Sequence, residues 1–496
     1  MFFLLIYFSQ CLIFIIFFYN KSVKYDVTII GAGISGALIA HNLSKYNLNV
    51  LILDKGSDVS TGATAANSAM VHSGHDPKDG TLKCKYNLLG NRMYPDLCKE
   101  LKVSFAPVGA FVVATSESEI EKLEVLVKQC KDRNVPHEVL SGDEARKIEP
   151  NLSDNVCKAL SLPTTGVITP WEVTIAAIEE AMLNGVELKL NYEVKNIKKD
   201  NDKFIINDEI ETTVLINAAG VHCDDITNML RVSPYKVEGK KGEYYIIDHT
   251  GPKLVNHVIY PLPSERGKGV LAVPTVHNNI LLGPNSDYVE DREDTSTGAG
   301  LDYVKAEITK TIKNIPYNRM VHNYAGIRPH IDLNDFYIQE DDQINNFIHV
   351  AGIESPGISA APAIAKDVVE NMVVPKFNPS VKDNYQRREA FVKMNEMSDE
   401  EKKAMIEKDS DFGKIICRCE NISLGEIKDA INRKCGATTM KGVRIRVRSG
   451  MGRCQGSFCE PEVFKVLQHE TGLDPKEVKF NKENSEIVMS YAKENI

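Results

Sequence analysis

The chain has 496 residues, 43% hydrophobic and 26% charged, with a formal net charge of −9. This is an ordinary globular mixture with room for two or three domains, and its acidic balance argues against a nucleic-acid binder working through a general basic surface. Of the 11 cysteines, Cys84, Cys98, Cys130, Cys157 and Cys223 stand singly in periodic segments and read as reduced core thiols in a reducing compartment, not as a disulfide framework.

Residues 1–20, MFFLLIYFSQCLIFIIFFYN, carry no charge and are long enough as a helix to cross about 30 Å of hydrocarbon. A secretory signal would want positive charge before the apolar run and a small-residue cleavage site, and neither is evident. Two readings stay open: a membrane anchor with Lys21 and Lys24 on the cytoplasmic side, or a gene-model artefact with translation starting later. The expected location is cytoplasmic, with membrane association if the anchor exists.

The next elements carry chemistry. Val27–Ile30 reads as a buried parallel strand, Gly31, Gly33 and Gly36 form a G-x-G-x-x-G turn into an amphipathic helix ending near Tyr46, and a second apolar run, Val50–Leu53, ends in Asp54. The glycines permit a tight turn and the close approach of a pyrophosphate at a helix start, and an acid at the end of the second strand suits ribose hydroxyls. With strand, helix, second strand and acid in place, the motif predicts dinucleotide binding. A loop rich in hydroxyls and histidines follows, NSAMVHSGHDPKDGTLK, holding Asn67, Ser68, His72 and His75.

Further along, TTVLINAAG ends a strand at Gly220, and NFIHVAGIESPGISAAPAIAKDVV passes through Gly352 and Gly357 into a helix. Strands so far apart with the same strand-to-glycine pattern predict one sheet assembled from discontinuous segments around an inserted domain. The stretches between them contribute cations: Lys240 and Lys241, read as solvated loop charges, then Arg266, Lys268 and Arg328, with His330 two residues on. Arginine's fork suits phosphate or carboxylate.

The segment 376–412 is strongly charged and reads as an exposed helix or linker. Beyond it come Cys417-x-Cys419, 34 residues, and Cys454-x4-Cys459. Four thiolates so arranged suit a [2Fe-2S] cluster, while structural zinc prefers wider gaps than the first pair offers. Between the pairs the sequence predicts a helix after Ser423, a turn at Gly436, a core thiol at Cys435, and a basic run of Lys441, Arg444, Arg446, Arg448 and Arg453. Those cations are expected to offset cluster charge or to dock an acidic partner rather than nucleic acid.

Residues 25–375, through Gly31, Gly33, Gly36, Asp54, AANSAMVHSGHDPKDGTLK, NAAG, GIRP and GIESPGISAAPAIA, resemble the D-amino-acid-oxidase-like superfamily of FAD-dependent oxidoreductases. They look most like the branch holding glycerol-3-phosphate dehydrogenases and oxidases and L-2-hydroxyglutarate oxidases. The resemblance implies noncovalent FAD and hydride transfer to it from a carbon bearing a hydroxyl or amino group. Asp54 stands where many relatives carry glutamate, which keeps the ribose-binding carboxylate. The implied FAD contacts are Gly31, Gly33, Gly36, Asp54, Asn67, Ser68, Gly220, Gly352 and Gly357, with the helix start at 357–360 aimed at the flavin. His72 is the expected base, since its ordinary pKa suits taking a hydroxyl proton near neutral pH, with His75 and His330 as weaker candidates. Arg328 maps onto a substrate-contacting arginine.

Residues 413–475, through ICRCENIS and GMGRCQGSFCEP, resemble the bacterioferritin-associated-ferredoxin-like [2Fe-2S] domain. The last gap is four residues where the namesake has two. The expected fold class is therefore α/β: a Rossmann-like FAD-binding domain with an inserted α+β substrate domain, mainly within 84–140 and 235–325, plus a small α-rich [2Fe-2S] domain. The expected reaction is oxidation of glycerol 3-phosphate to dihydroxyacetone phosphate, with L-2-hydroxyglutarate or another 2-hydroxy or amino acid as the alternative substrate. A reading of another class is a non-catalytic electron-transfer or redox-sensing subunit. A cluster that drains a two-electron flavin one electron at a time implies an acceptor such as a quinone, a ferredoxin-like carrier or a partner subunit.

Overall fold

A computed structural model describes residues 23–263 and 269–493. Residues 1–20, Arg266 and Lys268 lie outside the described residues, and among those described no helix is long and apolar enough to cross a membrane.

Val23–Ile30 is the centre of the first sheet. It pairs in parallel with Val50–Leu53 on one side and Ile210–Asn217 on the other, and the parallel row ends in Glu187–Lys189 and Phe347–Ala351. The register matches Ile30 with both Leu53 and Asn217, so the turns after these strands, carrying Gly31, Asp54 and Gly220, emerge at one sheet edge. Ligands bind at that carboxyl edge in open α/β sheets. Alternate side chains serve opposite faces: Val27, Ile29, Ile52 and Val214 pack under the helices Ile34–Leu43, Pro170–Leu183 and Gly357–Asp367, whereas Leu51, Leu53, Leu215 and Phe347 pack with Phe204 and Ile206. Burial on both faces is why these strands read as continuous apolar runs.

A second, nine-stranded sheet is built around Val237–Ile247, which runs antiparallel to Met320–Ile331 from Val237↔Ile331 to Ile247↔Met320. It is mixed, since Val258–Pro261 pairs in parallel with Ala110–Ala114. Ala110–Ala114 is buried throughout because Phe111 and Val113 meet the helix Gly298–Ile308 side while Val112 and Ala114 meet the helix Glu117–Asp132. The expected boundary at residue 84 falls inside the helix Leu82–Glu100. That helix packs against Gly357–Asp367, so close that Gly90 meets the Ser359 carbonyl, and it belongs with the first sheet.

The segment 376–412 departs from its reading as an exposed linker. Asp399–Lys408 is an exposed helix, but the chain before it is pinned down. Arg388 is fully buried, donating to Glu179 (2.7 Å) and to the Leu101 carbonyl (2.7 Å), and Phe391 and Met394 are buried too. Charge in sequence did not mean exposure here because the charged group found a buried acid.

The C-terminal unit has a short antiparallel pair, Ile415–Cys417 with Ile422–Ser423, and the helices Leu424–Asn432, Met440–Val447 and Glu460–Thr471. Ser423 caps the first through a capping box with Glu426, as the sequence suggested. Cys435 is a buried thiol. The unit does not end at 475: Val478 is fully buried, and Lys479 and Phe480 accept hydrogen bonds from Met440 N and Lys441 N.

Candidate active site and metal centre

The turn after the first strand is built for close approach. Gly31 sits at φ +111°, and a Cβ there would overlap the Ala218 carbonyl; one on Gly36 would overlap the carbonyl of Gly31. Only glycine fits both demands. Thr64 Oγ1 accepts the Ile34 N–H (3.1 Å), and Asp54 accepts the N–H groups of Ala32 and Gly56 (2.7 Å each), which ties the acid to the turn. Burial raises the Asp54 pKa, partly offset by those two N–H donors. Each carboxylate oxygen keeps a second lone pair for a ribose hydroxyl.

A cavity of about 1550 Å³ runs from this turn to the second sheet. Gly31, Gly33, Asp54, Asn67, Ser68, His72, Gly220, Gly357 and Arg328 all line it, whereas Gly36 and Gly352 shape the walls from behind. His75 and His330 do not line it. His330 is engaged by Glu354 (2.9 Å), whose second partner is Lys83 (2.6 Å).

His72 follows the short strand Met70–Val71, and its backbone is fixed by Ser359 Oγ and Asn87 Nδ2 (2.7 Å each). Its Nδ1 lies 2.9 Å from the Tyr260 hydroxyl, which donates to Met70 Sδ (3.5 Å). The Tyr260 contact fixes the orientation of the imidazole through Nδ1. The loop beyond is held by Arg133, which donates to the carbonyls of Gly74, His75 and Pro77 and to Asp79 (2.7–3.0 Å). Asn67 uses its side chain within its own loop, donating to the Ala63 and Thr64 carbonyls and accepting from Ala69 N. Ser68 is held by Tyr244 (3.0 Å), whose ring stacks on Tyr324 at 4.6 Å.

The cations sort by strand alternation. Lys240 and Arg328 are register partners, and both line the cavity. Arg328 donates to the Asn285 carbonyl (3.0 Å) and Ser286 Oγ (3.2 Å), and the Lys240 ammonium lies 4.9 Å from the Tyr288 ring centre. Lys241 points the other way, buried, with its ammonium on the Thr295 carbonyl (3.1 Å). The reading of Lys240 and Lys241 as solvated loop charges is thereby corrected: they belong to a strand whose two faces are both covered.

The four cysteines of the C-terminal unit come together in two pairs. Cys419 and Cys454 have sulfurs 3.6 Å apart, while Cys417 neighbours Cys459, where burial and that second thiol push the Cys459 pKa up to about 12. Among the described residues no three cysteines lie within 4.8 Å of one another. A single tetrahedral zinc, at about 2.3 Å from each sulfur, would draw all four together. Two pairs suit two irons, each taking two thiolates. Cys459 also stands at the start of the helix Glu460–Thr471, which favours negative charge.

Residues 26–371 match the family of FAD dependent oxidoreductases, and residues 415–469 match the BFD-like [2Fe-2S] binding domain. The chain belongs to the FAD-dependent oxidoreductase family. FAD and a [2Fe-2S] cluster are its cofactors, and the glycine cradle and the paired thiols fit them. This flavoprotein is 42% identical over 478 residues to a glycerol 3-phosphate dehydrogenase of Caloramator mitchellensis, covering 95% of this chain and 100% of the relative. It is 30% identical to a glycerol 3-phosphate oxidase of Mycoplasma genitalium, covering 70% of this chain and 94% of that one. The solved L-alpha-glycerophosphate oxidase of Mycoplasma pneumoniae with FAD bound superposes with a TM-score of 0.70 at 26% identity, covering 74% of this chain and 98% of that one.

The basic run of the [2Fe-2S] unit finds its acidic surface within the same flavoprotein. Arg446 pairs with Asp58 through two hydrogen bonds (2.6 and 2.9 Å) and Arg453 with Asp248 (3.2 Å), and Arg433, which precedes that run, pairs with Glu179 (2.6 Å). Sequence reasoning missed Arg133, Tyr260 and Asp58. Tyr260 opens the YPLPSERGKG stretch that holds Arg266 and Lys268, and its polar tip is the one local signal for it.

Proposed function

We propose that this flavoprotein oxidises glycerol 3-phosphate to dihydroxyacetone phosphate and passes the electrons through its [2Fe-2S] cluster to a separate acceptor. The observation that carries this reading is the 42% identity to a glycerol 3-phosphate dehydrogenase across both halves of the chain. Two cations directly opposite one another on adjacent strands repel, so Lys240 with Arg328 favours an anion between them, as a substrate phosphate would be. Arg328 holds that phosphate while Lys240 adds charge. His72 Nε2 takes the proton from the substrate's C2 hydroxyl, and the resulting imidazolium is steadied by Tyr260 at Nδ1. Bound FAD would supply the two-electron oxidant for the C2 carbon. Ser68, held by Tyr244, and the start of the helix Gly357–Asp367 keep the cofactor side of the cavity in place.

For the acceptor, Cys419 is exposed and Phe458, beside the ligand Cys459, is 84% exposed. A cluster edge open to solvent beside an unburied aromatic ring favours hand-over to a carrier or partner subunit rather than storage of the electrons.

The test is an anaerobic visible spectrum before and after glycerol 3-phosphate. Bleaching of the flavin band with dihydroxyacetone phosphate formed is the expected result. No bleaching despite bound FAD overturns the substrate assignment; bleaching by L-2-hydroxyglutarate instead moves the substrate to that class, and bleaching by neither leaves an electron-transfer subunit.

A further inference from the structure

The family match at the FAD side ends at residue 371 and resumes as a separate unit at 415, yet the cavity that begins at Gly31 and Gly33 is also lined by Lys441, Gly442 and Asn481–Glu483. These residues reach it by two routes. Gly442 lies against Asp58, which Arg446 holds, and a Cβ on Gly442 would come within 2.7 Å of Asp58 Oδ2. The turn after Val478 is closed by Phe480 N on the Ser485 carbonyl (2.8 Å) and Asn481 N on Ser485 Oγ (3.1 Å), and its Asn481 carbonyl accepts from Ser57 Oγ. Ser57 and Asp58 belong to the loop whose Ser60 N–H donates to Ala32, inside the glycine turn itself (3.0 Å).

Lys441 is half-buried in this wall. Among the described residues no hydrogen-bond or ion-pair acceptor reaches its ammonium. The charges that act on it are Asp294, which favours the ammonium, and Arg444 and Lys482, which oppose it; burial outweighs them all and lowers its pKa. A cation held beside two others in the wall of this cavity, with only the Asp294 carboxylate acting on it among the described residues and none bonded to it, suits a further anion.

We propose that the [2Fe-2S] unit completes the FAD site, with Lys441 binding the cofactor's diphosphate and the Lys479–Ser485 turn closing the cavity over Ser57 and Asp58. FAD binding and docking of the cluster unit then stabilise one another, because each orders the same loop. The inference rests on FAD binding and is independent of the substrate assignment.

The experiment follows FAD dissociation from the purified holoenzyme by the rise of free-flavin fluorescence on dilution, with the cluster's visible absorbance recorded in the same sample. Lys441→Met is expected to raise the FAD Kd about tenfold or more, the loss of one charge-assisted hydrogen bond, with cluster absorbance unchanged and Lys441→Arg restoring binding. Truncation after Val478 is expected to release FAD faster as well. An unchanged Kd in Lys441→Met overturns the proposal. So does equal loss of FAD in Lys441→Met and Lys441→Arg with the cluster signal intact, because a cation at this position would then not be what holds the cofactor.

Discussion

Replacing Arg446 with methionine tests how the two halves are joined. The guanidinium is fully buried and donates to Asp58 Oδ2 (2.6 Å) and Oδ1 (2.9 Å), to the Cys435 carbonyl (2.8 and 3.0 Å) and to the Gly442 carbonyl (2.9 Å). Methionine fills the volume but leaves the Asp58 carboxylate, itself 4% exposed, without its counter-charge. Removing one partner of a buried pair costs about 3–5 kcal/mol, and the stranded carbonyls add to that. Urea unfolding, followed through the cluster absorbance, is expected to shift to lower denaturant by a corresponding amount. The double variant Asp58→Ala with Arg446→Met removes both charges and should recover much of the loss, since apolar replacement of a whole buried pair is often close to neutral. A single variant within about 1 kcal/mol of the wild type, or a double variant no better than the single, would refute the reasoning.

Gly31→Ala places a Cβ on the Ala218 carbonyl at a positive φ, so the purified variant should lack the flavin absorbance while keeping that of the cluster; normal flavin content contradicts the cradle. Cys454→Ser should abolish the [2Fe-2S] spectrum and leave flavin reduction by substrate intact, read in the same anaerobic titration. Burial, with help from the nearby cations Arg448 and Lys393, pushes the His277 pKa down to about 2. The folded state therefore binds fewer protons than the unfolded one, and the contribution is complete above the ordinary value of 6.5 and lost as pH falls below it. Stability should drop by about 1.4 kcal/mol per pH unit from this group below pH 6.5, and His277→Gln should flatten that slope in urea melts; an identical slope in the variant removes His277 from the account.

The parts of the site that could be read in sequence are those whose physics is local. Gly31, Gly33, Gly36 and Asp54 announce themselves because strand, turn, helix and acid follow within one short stretch, and the two cysteine pairs because ligand spacing is itself a local pattern. Cys417 with Cys459 and Cys419 with Cys454 nevertheless pair across the gap, which spacing alone left undecided. Lys241 was misjudged because a lysine beside glycines looks the same in a loop and in a strand covered on both faces; only its register opposite Ile327 distinguishes the two. Arg133 clamps the His75 loop from the end of a helix 54 residues from Asp79, and Asp58 meets Arg446 across 388 residues. Such pairings exist only once the chain has folded, and a charge in sequence carries no mark of its distant partner.

The manner of docking bears on how electrons leave the flavin. A ferredoxin unit on a free tether would find its flavoprotein by diffusion, guided by surface charge, and its transfer rate would fall with salt over the Debye range. Here the tether is fastened: Arg388 is buried on Glu179, and Met394 N is bound to Glu426 of the cluster unit (3.0 Å). Two of the joining ion pairs, Arg446–Asp58 and Arg433–Glu179, are buried or nearly so, whereas Arg453, 67% exposed, makes a pair that salt can screen. Buried pairs are screened weakly. Flavin-to-cluster transfer, followed by anaerobic stopped flow after substrate mixing, should therefore be insensitive to added salt, whereas delivery from the exposed Cys419 edge to an external protein carrier should depend on it. A steep fall of the internal rate with salt would mean that the cluster unit leaves its dock during turnover, and the fixed path would have to be abandoned.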